Sequence, residues 1–154
     1  SDIRNTFIDS IGNTPLIKIN HLTKDIPGSF YTKYEGFNPG HSNKDRIALH
    51  ILNQAENKGI LKSGSTIIET TSGNTGFSLA MVSLLKGYRC ILAVSSKASK
   101  DKINMMKCLG AEIYVCPSNV SSDDPRVGKL PEEVLDWMVS NNPPEELSVT
   151  NSNK

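Results

Sequence analysis

Apolar and polar positions along this chain switch between a period near two and a period near 3.6, and the switches mark out strands and helices. Leu16-Ile17-Lys18-Ile19 is a short β-rich run behind the turn formers Gly12-Asn13-Thr14-Pro15. Ser29 to Glu35 alternates as a strand and ends at Gly36. Ile47, Ile51, Leu52 and Ala55 fall at helical spacing, which predicts a helix from about Lys44 that stops at Lys58-Gly59. Ser65-Thr66-Ile67-Ile68-Glu69 is the next β-rich run. Gly76 to Lys86 reads as an apolar helix closed by Gly87, and Tyr88 to Val94 as a strand apolar enough to be buried on both faces. Lys100 to Leu109 predicts a third helix with Ile103, Met106 and Leu109 on one side. Ala111 to Cys116 is the last strand, stopped by Pro117.

This order of strand, helix, strand, helix, strand, with short turns, implies an α/β fold on a parallel sheet with right-handed crossovers. Ligand sites in such sheets form outside the carboxyl ends of the strands, and the turn Thr70–Gly76 falls at one. Residues 1–126 are expected to form the α/β domain. Residues 127–154 are expected to be a short helix carrying Leu130, Val134, Leu135, Trp137 and Met138, then a polar tail that is mobile beyond Asn141.

Composition narrows the function classes. Seventeen basic and sixteen acidic residues nearly balance, with no basic block, so nucleic acid is not an expected partner. No apolar run reaches the roughly 18 residues a membrane helix needs, so no membrane partner is expected either. Cys90, Cys108 and Cys116 fit no zinc pattern and form no CxxC; they read as buried thiols of a reducing cytoplasm. His21, His41 and His50 lack metal-ligand spacing, and no metal is expected.

Two stretches carry candidate chemistry. In Asn38 to Arg46, turn formers lead into a helix, and Ser42 with Asp45 reads as an N-terminal capping box. Lys44 then lies in the first helical turn, where the unpaired N–H groups disfavour a cation and ease the neutral amine that attacks carbonyls. By itself it reads first as a solvated helix-start lysine, since lysines are common there. Thr71 to Gly76 offers hydroxyls, an amide and backbone N–H groups at a helix start, a place for an anion such as a substrate α-carboxylate. It is neither GxxxxGK[ST] nor GxGxxG, and its small residues could also serve only to shape the backbone.

Three segments, Ile11-Gly12-Asn13-Thr14-Pro15-Leu16, Ser42-Asn43-Lys44-Asp45-Arg46 and Thr71-Ser72-Gly73-Asn74-Thr75-Gly76, occur in an order and at separations that resemble the cysteine synthase and cystathionine β-synthase family of pyridoxal-phosphate enzymes. The resemblance runs from about Ile3 to Arg126. It implies the small domain of a fold type II pyridoxal-phosphate enzyme, a three-layer parallel sheet with helices on both faces. It implies pyridoxal phosphate as cofactor and Lys44 as the catalytic Schiff-base lysine that also moves the α-proton. Asn74 matches the residue facing the cofactor's ring hydroxyl, and Thr71, Ser72, Asn74 and Thr75 match the loop that grips the amino-acid carboxylate. The chemistry so implied is β-replacement on a serine or O-acetylserine type of substrate by a thiol or sulfide; self-association into a homo-oligomer is left open. The family's later half supplies a glycine- and threonine-rich loop for the cofactor phosphate and a Ser or Thr facing the pyridine nitrogen. Neither is found here, and Asn43 stands where many members carry Val. The expectation is therefore the front part of such an enzyme, truncated, with a non-catalytic homologue acting as a binding or interaction module as the alternative.

Overall fold

A computed structural model describes residues 3–71 and 73–117. The expectations for Ser72, for the helix over Leu130–Met138 and for a mobile tail beyond Asn141 lie outside the described residues.

The parallel sheet is built from β3 (Thr66–Thr71), β4 (Arg89–Ser95) and β5 (Glu112–Cys116), in that spatial order. α2 (Asn74–Lys86) joins β3 to β4, and α3 (Lys100–Cys108) joins β4 to β5. Ile67 pairs with Cys90, and Leu92 with Ile113, so one face of the sheet carries Ile67, Cys90, Leu92, Val94 and Ile113. Ala80 of α2 and Met106 of α3 pack on that face with Cys90, Leu92 and Val94. Ile103 and Leu109 join Met106 there, as their spacing predicts. The alternate residues Ile91 and Ala93 point the other way and are also buried, so β4 has the two covered faces of a central strand.

α1 (Lys44–Asn57) lies beside α2, with Ala48 and Leu52 packed on Leu79 and Val82. Its buried face differs from the expected one. Ile47 and Ile51 are 41% and 54% exposed, while Asp45, Ala48 and Leu52 point inward. A polar residue sets this orientation: Asp45 is fully buried against α2, and positions three and seven residues further along share its side of the helix.

The two early strands form a separate sheet. β1 (Leu16–Lys18) and β2 (Tyr31–Lys33) pair antiparallel, with Leu16 opposite Lys33. β2 is shorter than the alternation from Ser29 to Glu35 implies, because the chain enters a 3₁₀ turn at Glu35–Phe37. Of the cysteines, Cys90 is buried, and burial pushes its thiol up to about 11. Cys108 is exposed and Cys116 half-buried, so the expectation of three buried thiols holds only for the central strand.

Candidate active site

Lys44 opens α1 and Asn74 opens α2. The N-terminal halves of these helices are bonded to each other. Asp45 Oδ1 accepts a hydrogen bond from Ser78 Oγ at 2.5 Å, and the same hydroxyl lies 3.0 Å from the Asn74 carbonyl oxygen. Asp45 Oδ2 accepts the Gly40 N–H at 2.5 Å. A Cβ at Gly40 would lie 2.2 Å from Asp45 Oδ1, so only glycine fits this approach. The expected capping box is thereby corrected. Ser42 Oγ does accept the Lys44 N–H at 3.2 Å, but Asp45 turns inward and spends both oxygens on Gly40 and Ser78. Lys44 itself is half-buried, and no carboxylate among the described residues pairs with it.

A second network joins the Gly12–Pro15 turn to α1. Gly12 and Asn13 take positive φ (88° and 47°), which turns the Gly12 N–H onto Asn38 Oδ1 at 2.8 Å. Thr14 Oγ1 donates to Glu35 Oε1 at 2.6 Å. Arg46 reaches back from α1 with Nε on Glu35 Oε2 (2.7 Å) and its Nη2 on Glu35 Oε1 (3.0 Å) and Thr14 Oγ1 (3.1 Å). Asn38, only 1% exposed, donates to the Glu35 carboxylate as well. The Arg46 guanidinium, helped by Thr14 and Asn38, holds the Glu35 carboxyl down to about 2. Asp45 and Arg46 thus carry hydrogen bonds from the lysine turn to both other segments. A hollow of about 190 Å³ beside this network is lined by Arg4, Asp9, Asn13, Thr14 and Phe37 among others.

The third segment lies where the topology predicts, at the carboxyl end of β3 and the start of α2. Thr71 is buried, and its Oγ1 accepts the N–H groups of Gly73 (3.3 Å) and Gly76 (3.0 Å). Those two donors are therefore used to build the loop, and Thr71 keeps only its hydroxyl proton to offer. The N–H groups of Asn74 and Thr75, in the first turn of α2, remain as helix-start donors, with the half-buried Thr75 hydroxyl beside them. Asn74 is exposed, and its Oδ1 accepts from Lys102 Nζ at 3.2 Å. Sequence reasoning placed Lys44 in the first turn of one helix and Thr71, Asn74 and Thr75 in the turn that leads into the next, but it read Asp45 as a cap and missed Ser78, Glu35 and Lys102. Ser78 carried a readable signal, a hydroxyl inside the apolar run of α2 four residues after Asn74. Among the described residues, no group of three or more His, Cys, Asp or Glu could hold a metal ion.

Residues 8–142 match the family model of the pyridoxal-phosphate dependent enzymes. The chain belongs to this family. Within the pyridoxal-phosphate enzymes it is 47% identical over 117 residues to cystathionine beta-synthase of Rattus norvegicus, covering 75% of this chain and 21% of that protein. It is 44% identical over 117 residues to cysteine synthase of Dictyostelium discoideum, covering 76% of this chain and 31% of that protein. A hydrogen sulfide-producing enzyme of Fusobacterium nucleatum superposes with a TM-score of 0.73 at 40% identity, over 77% of this chain and 39% of that one. O-ureido-L-serine synthase superposes with a TM-score of 0.73 at 33% identity, over 90% and 42%. The chain spans under a third of the length of the two sequence relatives. The fold is that of the type II pyridoxal-phosphate enzymes, and the cofactor of the family is pyridoxal phosphate. The donor set fits the aldehyde and ring-oxygen end of that cofactor: a half-buried lysine with no carboxylate partner among the described residues, and an amide on the adjoining helix.

Proposed function

We propose that this chain carries the lysine-bearing part of a β-replacement enzyme of sulfur amino-acid metabolism, of the cysteine synthase or cystathionine β-synthase type. The observation that carries the reading is the Asp45–Ser78–Asn74 connection, which sets Lys44 and the Thr71–Thr75 loop at the mouths of adjacent helices. Pyridoxal phosphate, when bound, supplies the electron sink for negative charge at the substrate Cα. Lys44 would hold the cofactor through Nζ, and the same amine would take and return the proton at the substrate Cα. The Asn74 and Thr75 N–H groups and the Thr75 hydroxyl bind the substrate α-carboxylate, with Ser72 and the Thr71 hydroxyl proton completing that set. Asn74 would offer its side-chain NH₂ to the cofactor's ring oxygen. The substrate is a serine or O-acetylserine type of amino acid, and the incoming group a thiol or sulfide. The serine- and cysteine-centred names of the similar proteins support this substrate class.

The test is turnover of serine or O-acetylserine with a thiol in the presence of pyridoxal phosphate, followed by mass spectrometry of the product. Thioether product from the wild type, absent with Lys44→Ala, is the expected result. Cofactor uptake without product would instead favour a binding module that has kept the lysine and lost the reaction.

A further inference from the structure

Lys102 belongs to α3, yet it reaches the first residue of α2: its Nζ donates to Asn74 Oδ1 at 3.2 Å. The ammonium also stands over the loop, since a Cβ at Gly73 would lie 3.6 Å from it. Lys102 is placed against the electrostatics of its own helix. It lies in the first turn of α3, the partly positive end, together with Lys100, and the acidic residue of that turn is Asp101.

A lysine ammonium has three donors and no acceptor, whereas a primary amide has one of each end. The amide oxygen of Asn74 must therefore face Lys102, and its NH₂ must face away. We propose that Lys102 is a positioning residue for Asn74, fixing the amide so that it offers donors, not an acceptor, to an anionic oxygen of the bound ligand. The inference rests on the reading of Asn74 given above and adds what orients it. Left unpaired, the amide could turn its oxygen to the ligand, where two acceptors would oppose each other. The positive charge adds to the effect, because it favours the ionised form of an oxygen bound beside Asn74.

The experiment uses the full chain, pyridoxal 5′-phosphate, and the variants Lys102→Met, Lys102→Arg and Asn74→Ala. Lys102 is exposed, so these changes leave the core untouched, and far-UV circular dichroism verifies folding. In the free chain, Lys102→Met should shift the side-chain amide NMR signals of Asn74, which Asn74→Ala identifies. With cofactor, Lys102→Met should weaken binding roughly tenfold, about the worth of one charge-assisted hydrogen bond. It should also raise the pH at which the ring oxygen ionises, read from the visible spectrum. Lys102→Arg should restore most of both, and Lys102→Met should add little in the Asn74→Ala background. Unmoved Asn74 signals, or a Lys102→Met effect undiminished by Asn74→Ala, would overturn the proposal. A wild-type chain that takes up no cofactor overturns the underlying reading and this one with it, whereas normal uptake unaffected by Lys102→Met overturns this one alone.

Discussion

Asp45 Oδ1 and Ser78 Oγ lie 2.5 Å apart, and both residues are fully buried, so the residue after Lys44 is tied to the helix that Asn74 begins. A buried carboxyl with a missing partner is costly, and Ser78→Ala should destabilise the chain by about 1–3 kcal/mol. Asp45→Asn should cost more. Both of its neighbours, the Ser78 hydroxyl and the Gly40 N–H, donate, so an amide NH₂ in either place meets a donor. Urea midpoints of the two variants, with unchanged slopes, give the ranking.

Gly76 is the tightest point of the loop. A Cβ there would lie 2.3 Å from Thr71 Cγ2 and 3.2 Å from Met106 Sδ, with buried neighbours on both sides. Gly76→Ala should cost about 1–3 kcal/mol through overpacking. It should also displace Thr71, and with it the bonds from the Gly73 and Gly76 N–H groups to Oγ1. Amide exchange at Gly73 should then quicken. Wild-type stability in Gly76→Ala would mean the loop rests on something other than this contact.

Glu35 gives the fold a signature in acid. Its folded value of about 2 lies below the ordinary 4.5, chiefly because Arg46 donates to its carboxylate. The contribution is whole above about 4.5 and is lost as pH falls through about 2. Lys86 beside Glu56 and Arg89 beside Glu112 lower those carboxyls too, so the slope of the wild type alone is a sum. The difference between wild type and Glu35→Gln isolates the contribution of Glu35. That difference should stay constant above about pH 4.5 and shrink from there down to about pH 2. NMR titration of Arg46→Met should show Glu35 moved up toward its ordinary value, with Thr14 and Asn38 still holding it down.

The strands and helices were legible in the sequence where burial writes a period. β4 is apolar at Cys90 to Val94 because both of its faces are covered, and Ile103, Met106 and Leu109 share the side of α3 that meets the core. The periodic signal failed on α1. There a buried aspartate, not the isoleucines, chooses the inward face, and a polar residue at a core position is invisible to a hydrophobic count. The site was legible as three short segments, but the bonds that join them were not. Asp45 to Ser78 spans 33 positions and Arg46 to Thr14 spans 32, and such pairings depend on how the helices pack. The antiparallel pairing of β1 with β2 was likewise not written in either strand, each only three residues long and exposed.

The central claim is that Lys44 is the residue that takes the cofactor, and reductive trapping tests it most directly. The chain is incubated with pyridoxal phosphate, reduced with borohydride, digested and mapped, beside Lys44→Ala. Label concentrated on the peptide carrying Lys44, and lost in Lys44→Ala, is the outcome expected from the proposed function. Label spread over Lys58, Lys62, Lys97 and the other lysines, and unchanged in Lys44→Ala, would contradict it.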